Sequence, residues 1–531
     1  MLPHNEMGND FWHILWYDGG AIEALLTKAQ KEFTMTSKKV DAFLYGSIAA
    51  VTVAALGLSS FMSIGNGERF KALMLLTVFL AFLWSVTAVR LKWSGKHIFY
   101  AVLIAGMAMR VGYTIYTAVD MRQHDVWTTA EPGHWDYIAM LYEKGRLPDS
   151  FAGQYYHGPL SHAMIALFIK LVSLTGIDPL ASGASWLQAV PCVLSCFTIV
   201  IAWKIARELG LGERACLTVE LLVAFHPVFY MLSGSVNNDM VMIFFFFLGI
   251  LYTVRYFNRP AMKHILMLAA AIGCAMMSKL SGGMIAFFTG PVFLMVLVNC
   301  IRQNRFAADA TVMRVTVKQL TGQFAAFLAV CAPLGLWHSA RNLIVLGQPL
   351  GYVPAPPVDG DLYVGQYGFQ ARFLSFPLSK YFGSWCNPRE DYNLWTYMLK
   401  SGIFGEWEFD VPVLPADSLL LLFLLLTLVS AFWMLRYIQK REAHPILRCG
   451  FLILTVTQLF SYLQFNIAYP FGCTMDFRYI VPLVMPFSVY AALAAEDLSQ
   501  ETAWWKKAAS SVLYSVIGGF CALSVLFYVI L

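Results

Sequence analysis

An all-helical polytopic membrane protein is predicted by three observations. Hydrophobic residues make up 58% of the 531 residues, charged residues only 13%, and long apolar runs recur from Asp41 to the carboxyl end. The mean hydropathy of +0.61 lies far above that of water-soluble domains. Each run spans about 17–25 residues, enough to cross a hydrocarbon core of roughly 30 Å as a helix.

The formal net charge of +5 is accounted for by basic residues at membrane edges, which argues against a nucleic-acid partner. The amino-terminal stretch lacks the short apolar core and small-residue cleavage site of a signal peptide. Residues 1–40 are therefore expected to form an uncleaved cytoplasmic tail. Most of the 10 cysteines fall inside apolar runs and pack as small side chains. Cys386 and Cys473 read as external and would be able to pair on an oxidising side.

The first spans are expected near 41 to 63, 71 to 90 and 97 to 117. Lys28 to Lys39 precede the first, and Arg90, Lys92 and Lys96 separate the second from the third. The positive-inside rule places both clusters in the cytoplasm, with Arg69 and Lys71 as a small exception. The polar stretch 118–184 then opens on the outer face. Within it Pro159 to Gly176 is apolar enough to cross, but a crossing there would put Lys204, Arg207 and Arg214 outside. His162, Ala166, Lys170 and Ser173 form a helical stripe opposite Leu160, Met164, Leu167 and Leu171, as in a helix lying in the interface.

Spans near 185 to 207, 216 to 234, 239 to 256, 263 to 279, 281 to 301 and 319 to 341 then alternate. Their inner loops carry Lys204, Arg207 and Arg214, then Arg255, Arg259 and Lys263, then Arg302, Arg305, Arg314 and Lys318. A second external segment, 347–415, holds Asp359, Asp361, Glu390, Asp391, Glu406, Glu408 and Asp410 and reads without a hydrophobic span. Spans near 417 to 436, 449 to 467, 478 to 495 and 508 to 530 bring the total to about thirteen transmembrane helices, with the carboxyl end outside. No repeat or low-complexity tract divides residues 41–531, which read as one integral domain.

Chemistry concentrates in the first external loop. Glu131-Pro132 before HWDYIAMLYEKG reads as a helix start, with Trp135, Ile138, Ala139 and Tyr142 on one apolar face. Asp136 in its first turn either interacts with the helix dipole, worth about 0.3–1 kcal/mol, or serves catalysis. Asp125, beside His124 in an irregular segment, is the preferred catalytic carboxylate, because a loop acid under a rigid bundle can reach an acceptor proton. Asn237-Asn238-Asp239 caps a helix, orients an acceptor or metal through Asp239, or does both. Arg110, Lys279, His338, Arg341 and Arg478 stand near the outer boundary, where charge is costly and either functional or internally paired. Several cations at headgroup depth would suit a phosphate, with arginine offering a bidentate fork.

The motifs QHD (123–125), GHWDYI (133–138), GRLPD (145–149), QYYHGPL (154–160), NND (237–239), SKLSG (278–282), RNLI (341–344) and DFRYIVPLVMP (476–486) resemble those of the class C glycosyltransferases. The resemblance is to the family 39 group, which includes protein O-mannosyltransferases and aminoarabinose transferases, and it runs from about residue 97 to 495. It implies interfacial helices in the first external loop, an acidic base there and a sugar donor carried on polyprenyl phosphate. On this resemblance Asp125 takes the base role, and His338, Arg341 and Arg478 hold the lipid phosphate. Glu131, with His134, corresponds to groups that position acceptor or metal. Two departures stand out: Val126 follows Asp125 where the mannosyltransferases have Asp-Glu, and two extra spans precede the loop. The first weighs against protein mannosylation and the second suggests a distinct subgroup.

The resulting expectation is transfer of a sugar from a polyprenyl-phosphate donor to an acceptor lipid, glycan or protein on the extracytoplasmic face. One displacement, with Asp125 as base, would invert the anomeric carbon; a divalent metal would assist without being demanded. A secondary transporter would instead show inverted repeats and midplane binding residues, whereas the polar residues here gather at one face. A lipid-linked oligosaccharide ligase or polymerase, using a pyrophosphate donor, is the other alternative. The lack of any Asn-x-Ser/Thr site favours a bacterial plasma membrane.

Overall fold

In a computed structural model the described residues are 38–61, 67–180 apart from Ala118, Asp120 and Arg122, 186–306, 316–383, 386–406 and 411–529. The expected tail over residues 1–37, with Arg314, Glu408 and Asp410, lies outside them. Among the described residues every regular element is helical, and an isolated antiparallel bridge joins Tyr363 to Phe471.

Helices α1 (Lys38–Phe61), α2 (Gly67–Arg90) and α3 (Gly95–Tyr116) lead to the first loop, which contains α4 (His134–Lys144) and α5 (Leu160–Ser173). After it come α6 (Ala189–Glu208), α7 (Glu213–Phe225), α8 (Pro227–Ser233), α9 (Asp239–Asn258), α10 (Met262–Ser278), α11 (Ala286–Phe306) and α12 (Val317–Arg341). The second loop holds α13 (Phe369–Phe373), α14 (Leu378–Tyr381) and α15 (Leu394–Phe404); α16 (Val413–Tyr437), α17 (Phe451–Ala468), α18 (Val484–Gln500) and α19 (Trp504–Val529) close the bundle.

Eleven helices among the described residues are long and apolar enough to cross a membrane, or twelve if the bent pair α7 and α8 is one span. All of the roughly thirteen expected segments are helical; the differences are local. The segment expected at 216 to 234 is bent by 50° at His226-Pro227. Proline has no N–H and its ring displaces the carbonyl four residues earlier, so an unbroken helix is unavailable there. The segment expected at 263 to 279 is α10, only 17 residues long.

The core runs through α3, α6, α7, α9 and α18, which pack on one another. On the periphery, α2 leaves Leu73, Leu76, Phe79 and Phe82 exposed, the surface a lipid-facing helix requires. In α5 the stripe expected to be polar turns inward only in its first half: His162 and Ala166 are buried, Lys170 is exposed, and Leu167 and Leu171 of the opposite face are exposed as well. The second loop, read as lacking structure of span type, nevertheless contains α15, whose Asn393 cap accepts from the Thr396 N–H at 3.1 Å. Cys386 and Cys473 are separate free thiols, so the pairing considered from sequence is not formed.

Candidate active site

The backbone fixes Asp125 before its side chain does anything. The His134 N–H donates to the Asp125 carbonyl at 2.8 Å and the Trp135 N–H to the Val126 carbonyl at 2.8 Å, so the loop supplies acceptors for the otherwise unpaired first turn of α4. Gly133 makes this approach possible, since a Cβ there would meet the Val126 carbonyl oxygen at 2.4 Å. The helix begins at His134, not at Pro132, with Gly133 as its N-cap. Gly158 allows the other close approach: a Cβ would lie 2.0 Å from the Met277 carbonyl oxygen at the end of α10.

The Asp125 carboxylate accepts from Gln123 Nε2 at 3.0 Å and Gln154 Nε2 at 3.4 Å, and lies 3.4 Å from His134 Nε2. Burial pushes its pKa up, but His134 and Arg478 outweigh that effect and hold it below the ordinary carboxylate range. The ionised form of Asp125 is thus favoured by its surroundings.

Two cavities meet at this residue. The first, of about 510 Å3, is lined by Asp125, His134, Asp239, Lys279, His338 and Arg478, with Met276, Tyr462 and Phe465 on its apolar side. The second, of about 750 Å3, is lined by His124, Asp125, Arg389, Glu390, Glu406, Asp476 and Arg478. Asp125, Asn237, Cys473 and Arg478 border both.

Arg478 is the least committed cation of the site. Its NH2 is 3.9 Å from Glu406 Oε1, beyond hydrogen-bond reach, and its Nε makes no hydrogen bond. Its backbone N–H is held by the Asp476 carboxylate at 2.6 Å. Lys279 is instead paired, 2.5 Å from Asp239 Oδ1 and 4.7 Å from the centre of the Tyr479 ring. Asp239, 2% exposed, donates its backbone N–H to Asn237 Oδ1 at 2.9 Å, so the motif both shapes the helix start and lines the cavity. His338 approaches the Tyr137 hydroxyl at 3.5 Å.

Other sequence candidates are not brought to either cavity. Arg110 is fully buried and donates to the Ser195 hydroxyl at 3.0 Å and to the carbonyls of Ala224 at 2.7 Å and Val223 at 2.9 Å. Those carbonyls are freed by the break at Pro227, so Arg110 mends a helix end. Asp136 accepts from the Gly133 N–H at 2.7 Å and the Thr128 hydroxyl at 2.6 Å, the capping role. Glu131 is exposed, and Arg341 donates to the Pro148 carbonyl at 3.0 Å and to Asn342 Oδ1 at 2.8 Å. His134 has protein partners at both ring nitrogens, which leaves it no lone pair for a metal. No group of three or more His, Cys, Asp or Glu among the described residues converges on a metal position.

Sequence reasoning missed Gln123, Gln154, His157, His162 and Glu406 as members of the site. The QYYHGPL motif held Gln154 and His157 and the QHD motif Gln123, whereas His162 is revealed by its contact with His134 across α4 and α5 and Glu406 by its place beside Arg478.

Residues 113–332 match a family model described as dolichyl-phosphate-mannose-protein mannosyltransferase. No curated protein matches the sequence. Among solved structures the chain is similar to the archaeal oligosaccharyltransferase AglB from Archaeoglobus fulgidus, in complex with an inhibitory peptide and a dolichol-phosphate. The identity is 13%, the TM-score 0.45, and the coverage 82% of this chain and 56% of that one. A second structure of the Archaeoglobus fulgidus oligosaccharyltransferase, with zinc and sulfate, gives 15%, 0.42, 80% and 53%. ArnT from Cupriavidus metallidurans, bound to undecaprenyl phosphate, gives 11%, 0.45, 82% and 75%. The chain thus spans little more than half the length of the archaeal enzymes.

Proposed function

We propose, from the match of residues 113–332 to that family model, that the chain moves a sugar from a polyprenyl-phosphate donor to an acceptor on the extracytoplasmic face. The superfamily read from the motifs is borne out by this match. The observation that carries the finer reading is that Asp125 and Arg478 border both cavities. A donor whose phosphate lies by Arg478, within reach of Lys279 and His338, would present its anomeric carbon beside the Asp125 carboxylate.

An acceptor hydroxyl or amine enters through the second cavity and attacks that carbon from the face opposite the phosphate. Its proton passes to Asp125, the bond from anomeric carbon to phosphate oxygen breaks, and the lipid phosphate leaves as an anion stabilised by Arg478. One displacement inverts the centre. Phosphate needs no proton donor to leave, so no second catalytic acid is required. A divalent metal would supply further charge neutralisation at the phosphate if bound.

The positive-inside distribution supports a cytoplasmic amino terminus and a site facing outward, and the lack of any Asn-x-Ser/Thr site supports a bacterial plasma membrane. External loops 118–184 and 347–415 together enclose the site, and the acceptor is a lipid, glycan or protein. The test is incubation of purified protein with a panel of polyprenyl-phosphate sugars, with mass spectrometry of candidate acceptors. A mass gain of one sugar is expected. Transfer only from pyrophosphate-linked donors would replace this reading with that of an oligosaccharide ligase.

A further inference from the structure

Behind Asp125 stands a column of buried rings that the displacement itself leaves idle. His134 and His162 are each 1% exposed. His134 Nε2 faces Asp125 Oδ2 at 3.4 Å, and His134 Nδ1 is 2.9 Å from His162 Nε2. The rings are stacked: Tyr137 lies on His162 at 4.3 Å between centroids, and His157 is nearly parallel to His134 at 5.9 Å. Helix α4 supplies His134 and Tyr137, and α5 supplies His162.

A contact between two imidazole nitrogens needs one N–H between them, whichever ring supplies it. Burial pushes the His162 pKa well below its ordinary value, and a backbone hydrogen bond to Gly158 pulls the other way. Held at Nδ1 by His162, the His134 ring presents Nε2 to Asp125 Oδ2.

With Gln123, Gln154 and His134 as donors, about three of the roughly four lone-pair sites of the carboxylate are filled. Its side chain remains 34% exposed, so the last site opens toward the cavities.

We infer that His134, held in orientation by His162, is the positioning residue of Asp125, holding Oδ2 so that the open site of the carboxylate meets the acceptor's proton. This rests on Asp125 as the base. The ionisable groups facing the pair are Asp125 in the loop, His157 after it and Tyr137 on α4. Lys279 stands at the end of α10, His338 and Arg341 on α12, and Arg478 before α18. Asp136 is turned away to cap α4.

The test has two arms on purified full-length protein in lipid nanodiscs. In the first, transfer from the donor identified by the panel is followed against pH. His134→Leu should lower kcat by about 10–100-fold with donor KM unchanged, the size seen when groups that orient a reactive ligand are removed. The acid limb should also move to higher pH, because Arg478 and Gln123 alone then offset the burial that raises the Asp125 pKa. His134→Gln, whose amide still donates, should recover part of the rate. His162→Phe keeps the stack on Tyr137, removes the partner of His134 Nδ1, and should give the same shift in smaller degree; it decides the matter if His134→Leu does not fold.

In the second arm, infrared difference spectra against Asp125→Asn follow protonation of the carboxylate without any substrate. Protonation at higher pH in His134→Leu than in the unaltered protein is expected. An unmoved acid limb and an unmoved carboxyl band would overturn the inference. No transfer from any donor, with the band still shifted, would instead overturn the reaction and leave the positioning intact.

Discussion

Lys279 and Asp239 form an ion pair at 2.5 Å on the wall of the first cavity, with side-chain exposures of 15% and 3%. The cation that sequence placed at a phosphate is already matched by an anion. Removing one partner strands a buried charge, which costs about 3–5 kcal/mol for fully buried pairs. Lys279→Met should therefore destabilise the protein by roughly 3 kcal/mol, slightly less because the lysine keeps some water contact. Lys279→Met with Asp239→Asn should recover most of that loss. Thermal unfolding in detergent measures both, and equal losses in the single and double variants would show that the pair is not coupled.

Asp125→Asn should reduce transfer by about 10²–10⁴-fold, the usual range for loss of a general base. Its fold should persist, because the contacts that cap α4 come from the Asp125 backbone carbonyl and survive the substitution. Membrane insertion and the unfolding temperature check the second point. Full activity would remove Asp125 from the mechanism.

Arg478→Ala should raise the donor KM by about 10–100-fold, the equivalent of losing one charge-assisted hydrogen bond at about 1.5–3 kcal/mol. The prediction follows from an arginine whose Nε is unpaired and whose nearest acid stands 3.9 Å away. Binding of a labelled polyprenyl phosphate to the variant is the measurement. Unchanged affinity would assign the lipid phosphate elsewhere.

The helices were legible because hydropathy and basic clusters act along the chain. Asp125 was legible because an acid beside His124 in an irregular segment has no local structural task. Arg110 was not legible as a structural residue. Its partners, the carbonyls of Val223 and Ala224, lie more than a hundred positions away and are exposed only by the kink at Pro227. Asp136 could be read either way, and the Gly133 N–H settled it. The His134 and His162 contact needs α4 and α5 side by side, which no periodicity within either helix encodes.

Arg110→Leu should therefore be a stability variant. Two buried carbonyls lose their donor, at about 1–3 kcal/mol each, so the unfolding temperature should fall clearly while the donor KM of the folded fraction stays unchanged. A raised KM with normal stability would return Arg110 to the list of phosphate contacts.

Glu406 gives a pH test of the second cavity. Burial, only partly offset by Arg478, pushes its carboxyl up to about 8. In the unfolded chain the same group releases its proton near about 4.3. Between those values the folded state binds more protons than the unfolded one, so stability falls as pH rises from about 5 to 8 and levels off above. Glu406→Gln keeps the shape and cannot ionise, so it should lose this part of the slope. Unfolding temperatures of both proteins at pH 5 and pH 8 decide it: the stability of the unaltered protein relative to the variant should drop toward pH 8. An unchanged difference between pH 5 and pH 8 would mean that Arg478 holds Glu406 charged throughout, closing the arginine to an incoming phosphate.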